Sequence, residues 1–80
     1  MNTESEFSDA AKVAAQFDKL TRHVARSFKR QLEVARASQD KDAIIKEQIK
    51  LEVLKAARMM FSGSYKVALK VKPEGDWSDV

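Results

Sequence analysis

Lys19, Arg22, Arg26 and Lys29 follow one another at intervals of three, four and three residues, with His23 and Arg30 alongside, and no acid interrupts them between Asp18 and Glu33. On a helix these intervals bring side chains to one side, so the run forms a ridge of cations. Such a ridge suits a phosphate backbone: each phosphate contacted releases counterions, and affinity falls as salt rises. Arg22 and Arg26 are placed to reach a base edge if the helix enters a major groove. The competing meaning is a solvated surface whose long stems cover apolar area. Lys66, Lys70 and Lys72 add positive charge further on, where on a strand they also protect an edge from promiscuous pairing.

No other group of residues has the makings of a catalytic or metal site. His23 has neither an orienting carboxylate nor a neighbouring nucleophile. Glu47 and Glu52 are five residues apart, and Asp40 and Asp42 lack the glycine and the ligand count of a calcium loop. There is no glycine-rich phosphate loop. With no Cys and a single His, thiolate and imidazole metal sites are ruled out. The sequence therefore predicts a non-enzymatic protein with no metal, no cofactor and no small-molecule substrate.

The elements that carry the ridge are helical for sixty residues. Neither Gly nor Pro occurs before Gly63, so helix ends must come from caps. Thr3 with Glu6 fits a capping box and Ser8 is a second N-cap candidate, which starts the first helix at about residue 6. Phe7, Ala10, Ala14, Phe17, Val24, Phe28 and Ala35 form its apolar face, and Val13, Leu20 and Leu32 widen it. The polar stretch Ala37–Asp42 ends it at about residue 37, with Ser38, Asp40 or Asp42 to cap a second helix over about 41–61. Gly63 is the expected stop.

Tyr65–Lys72 alternates apolar and polar residues with period two and reads as a strand over about 65–72, followed by a Pro73–Asp76 turn and a flexible tail over 73–80. A lone strand leaves its backbone groups unpaired, so it calls for a partner strand. The second helix asks for one too. Ile45, Ile49, Val53, Ala56 and Met60 make one stripe, assigned to the first helix, whereas Ile44, Leu51, Leu54 and Phe61 lie well round from it and fall to a partner surface. Met59 and Met60 add a soft apolar cluster at the helix end.

The fold class expected is therefore mainly α: one domain over 1–80, a long two-helix hairpin with a single C-terminal strand. A homodimer with strand pairing or four-helix packing across its axis completes it. The partner interface comprises Ile44, Leu51, Leu54, Phe61, Tyr65, Val67, Leu69, Val71 and Trp77. The unequal arms of the hairpin favour the same second subunit.

At 80 residues and a net charge of +3, the chain is basic in its middle and acidic at its tips, with Glu4, Glu6 and Asp9 at one end and Glu74, Asp76 and Asp79 at the other. No run approaches a membrane span, the acidic N-terminal stretch has no apolar core of a signal peptide, and cysteine is missing. A cytoplasmic protein is expected. Acidic ends and an alanine-rich apolar face argue against insertion of the first helix at a lipid surface. Two functions follow. In the first, Lys19, Arg22, Arg26, Lys29 and Arg30 engage nucleic acid, DNA or RNA, in a dimeric regulatory module. In the second, a regulator or inhibitor of the kind mobile elements encode docks on a target protein through the second helix and the strand.

Overall fold

In the computed structural model, which describes residues 3–80 and side chains from residue 8 onward, the chain is two helices and a returning tail. Helix α1 is Thr3–Ala37 and helix α2 is Lys41–Leu69. The capping box expected at Thr3 and Glu6 and the apolar position Phe7 fall outside the described side chains. Ser8 does not cap the helix, because α1 is already formed there.

A tight turn reverses the chain. Gln39 adopts a left-handed conformation at φ 56, and the amides of Gln39 and Asp40 donate to the carbonyls of Arg36 and Ala35 at 3.1 and 3.0 Å. These two bonds are the Schellman pattern that satisfies the last carbonyls of a helix. Asp40 then starts α2, its carboxylate accepting from the Ala43 amide at 3.1 Å. Of the three cap candidates read from the sequence, Asp40 is the one used.

The strand expected over 65–72 does not form, and no strand occurs among the described residues. Helix α2 runs through Gly63 to Leu69 and ends where Lys70 turns left-handed at φ 64 and donates its amide to the Lys66 carbonyl at 2.9 Å. The alternation of Tyr65, Val67, Leu69 and Val71 concealed a helical spacing. Tyr65 and Leu69 follow Phe61 at steps of four on the inner face, and Val67 follows Met60 on the outer one. As a helix the segment satisfies its own backbone and needs no partner strand.

Gly63 costs α2 some stability without ending it. It is helical and exposed, and a Cβ built on it meets nothing within 4 Å. Gly63→Ala is therefore expected to stabilise the protein by about 0.5–1 kcal/mol, read as a higher midpoint in urea; a loss of stability would show that Gly63 is not helical in solution.

The extension of α2 narrows the mismatch of arm lengths that favoured a second subunit. The arms have 35 and 29 residues. Ala14, Ala25 and Ala35 are buried on α1, small enough for the helices to approach closely. Ala25, Leu32 and Leu51 form the centre of the core, with Phe28, Ile44, Leu54 and Val80 against it. The tail is not free: Pro73 and Trp77 are buried against the hairpin.

The two apolar faces of α2 exchange the roles expected of them. Leu51 is buried, and Ile44, Leu54, Phe61, Tyr65 and Leu69 are partly buried within the single chain. Ile45, Ile49, Val53 and Met60 are 55%, 57%, 64% and 71% exposed. Periodicity identifies two stripes but not which of them meets α1. Of the assigned partner surface, only Val67 and Val71 are exposed, and both lie outside any strand.

Candidate functional site

The ridge lies on the side of α1 turned away from α2. Lys19, Arg26, Lys29 and Arg30 are exposed, and among the described residues none of them is paired with a carboxylate. His23 is exposed beside them. An α-helix holds these side chains at fixed intervals without cost to the core, because Ala14, Ala25, Leu32 and Ala35 occupy the opposite side.

Arg22 departs from the expectation. Its Nε donates to Asp18 Oδ1 at 3.0 Å one turn earlier, Nη2 donates to the Asp76 carbonyl at 2.7 Å, and Nη1 donates to the Asp79 carbonyl at 3.2 Å. The Asp79 carboxylate stands 3.6 Å from Nη1. This guanidinium holds the returning tail and is not presented to solvent like its neighbours.

Beneath it lies the most enclosed polar group described. The Arg58 side chain is 0% exposed and pairs with Asp18 Oδ1 at 2.7 Å. It also donates to the Thr21 hydroxyl, and to the carbonyls of Asp76 at 3.0 Å and Asp18 at 3.3 Å. Its Nε is buried without an acceptor. The guanidinium lies over the Trp77 ring, 4.7 Å from the centroid, within cation–π range. Trp77 is 5% exposed and stacks on Phe61 and Phe17 at centroid distances of 5.1 and 5.9 Å. Its indole N–H donates to the Glu74 carbonyl at 2.9 Å. Asp18 thus joins both arginines, and the arginines join α1, α2 and the tail.

Titration follows from these contacts. Partial burial works to raise the Asp18 carboxyl, but hydrogen bonds from Arg58 and Arg22, with the charges of both, outweigh it and hold the group below its ordinary value. Asp76 also sits low, because its carboxylate accepts from the Ser78 hydroxyl and amide, at 2.7 and 3.0 Å.

No protein-family model, curated protein or solved structure matches the chain.

Among the described residues no cluster of His, Asp or Glu is placed to hold a metal ion, and no helix is long and apolar enough to cross a membrane. Two features were missed from the sequence. The Asp18–Arg58 pair joins residues on different helices, and its only sequence signal was a charge on the inner face of α2, at steps of four and seven from Leu54 and Leu51. Trp77 was assigned to a partner interface; its burial against Phe17 and Phe61 makes it part of the chain's own core.

Proposed function

We propose that this protein is a non-enzymatic nucleic-acid-binding module whose basic α1 ridge contacts the phosphate backbone. The supporting observation is the ridge itself: Lys19, Arg26, Lys29 and Arg30 are exposed, lie within about three turns of helix and are unpaired among the described residues. Cations spaced along a helix fit regularly spaced phosphates, and their affinity comes from counterion release rather than from base reading. Arg22 contributes less to this surface than its place in the sequence suggests.

The module acts as a homodimer through the outer face of α2. Ile45, Ile49, Val53 and Met60 continue the stripe in steps of four, four and seven, and a groove of about 360 Å³ lined by Val24, Phe28, Ile49, Val53, Leu54 and Ala57 borders it. A second copy of the same face buries this stripe and leaves both basic ridges outward, a four-helix arrangement in a cytoplasmic regulatory protein. Docking of the stripe on a different protein is the second reading. Light scattering separates the two: a dimer mass supports self-association, and a monomer mass assigns the stripe to a target.

Reversing two ridge charges, Arg26→Glu with Lys29→Glu, is expected to weaken binding to a labelled DNA or RNA duplex at least 100-fold at low salt while far-UV circular dichroism stays unchanged. Both residues are exposed and outside the core. Undiminished binding by the folded double variant would refute the reading.

A further inference from the structure

The acidic tail crosses the ridge at one place. A small notch of about 130 Å³ is lined by Arg22, Ala25, Arg26, Lys29, Asp79 and Val80. Three cations from successive turns of α1 thus line one notch with Asp79 of the tail, whose carboxylate lies within ion-pair distance of Arg22. We propose that the notch framed by Arg22, Arg26 and Lys29 is a phosphate seat, and that Asp79 occupies it in the free protein as a built-in competitor. The inference rests on the nucleic-acid reading of the ridge and deepens it.

The tail is anchored along its backbone, and the Asp79 side chain is the part free to swing. Trp77 is 5% exposed and locked by stacking, and the Asp76 carbonyl is held by both Arg22 and Arg58. Beyond Trp77, Val80 packs against the core and Arg22 Nη1 donates to the Asp79 carbonyl at 3.2 Å, so the weakly held part is the Asp79 carboxylate. The Asp79 side chain is 72% exposed and its carboxylate lies 3.6 Å from Arg22, an ion pair of the kind that water and salt compete with easily. A phosphate brings more charge and more acceptor oxygens to Arg22, Arg26 and Lys29 than a single exposed carboxylate, so it displaces one. Swinging the Asp79 carboxylate away takes a negative charge off the ridge and uncovers the outer edge of Arg22, without disturbing Val80 or Trp77. Phosphate and the Asp79 carboxylate therefore compete for the same cations.

The test compares two neutralised acids in the full chain. Asp79→Asn is expected to raise affinity for a labelled duplex about threefold, the effect of one exposed ion pair. Glu74→Gln removes the same charge from a residue outside the notch and is expected to leave affinity unchanged. An equal gain from both would reduce the effect to net charge and overturn the seat, as would no gain from Asp79→Asn. Amide signals of Ser78 and Asp79, followed by NMR during titration with inorganic phosphate and separately with a short duplex, locate the displacement. Movement with phosphate alone marks a seat that takes the free ion, movement only with duplex marks one that needs the polymer, and no movement with either overturns the proposal. Failure here is distinct from failure of the ridge. Binding that is lost with Arg26→Glu and Lys29→Glu but is indifferent to Asp79→Asn removes the competitor and keeps the ridge, whereas a wild-type chain that binds no duplex removes both.

Discussion

Asp18→Ala is expected to destabilise the protein by about 3 kcal/mol at pH 7, because it leaves the buried Arg58 guanidinium without its counter-charge. Arg58 is 0% exposed and Asp18 is its only carboxylate partner among the described residues. The lower end of the range for broken buried pairs applies, since the Asp18 side chain is 25% exposed and water reaches the pair. Asp18→Asn is milder, because an amide oxygen still accepts from the guanidinium. Urea unfolding measures both, and a loss below about 1 kcal/mol for alanine would mean that the pair is not formed in solution.

The same pair sets the acid limit of the fold. A carboxyl held below its ordinary value when folded contributes stability that is fully present above the unfolded value of 3.8 and is lost as pH falls through the lower, folded one. The gap between wild type and Asp18→Ala is therefore widest at neutral pH and closes in that acid window. A gap that instead grew on acidification would contradict the assignment.

Trp77→Ala is expected to cost a further amount of about 3 kcal/mol in its own right, with a fall in melting temperature of roughly 15 °C. Besides Pro73, the remaining buried apolar residues are four alanine or leucine positions on α1 and Leu51 on α2, so Trp77 is the largest apolar side chain in the core. Its loss frees the tail, exposes Phe17 and Phe61, and lets water reach Arg58. Hydrogen exchange resolves the order of events: amides over 74–80 lose protection first, and the hairpin amides follow to a lesser degree. Uniform protection across the tail of the variant would show that Arg22 and Arg58 hold it without the indole.

The helices were legible in the sequence, because an unbroken apolar periodicity without Gly or Pro before Gly63 admits little else, and the polar stretch at Ser38–Asp40 marks the turn. The C-terminal third was not legible. Four apolar residues at alternate positions in Tyr65–Val71 fit a strand, and only continuity with Phe61 distinguishes the helix that forms. A single glycine disfavours a helix by an amount that tertiary packing overrides. The ridge was legible as spacing, but the capture of Arg22 by Asp76 and Asp79 depends on a contact across more than fifty residues that no local pattern encodes. For the same reason the inner and outer stripes of α2 were exchanged: a helical wheel separates two faces, and only the position of α1 says which is covered.

Binding of the wild-type chain to a labelled duplex across a range of salt concentrations tests the nucleic-acid reading most directly. Four exposed cations, Lys19, Arg26, Lys29 and Arg30, predict that the logarithm of the association constant falls linearly with the logarithm of salt concentration, with a slope of about −3 to −4 for each ridge engaged. Binding that is indifferent to salt, or no binding even at about 10 mM salt where screening is weakest, would contradict it.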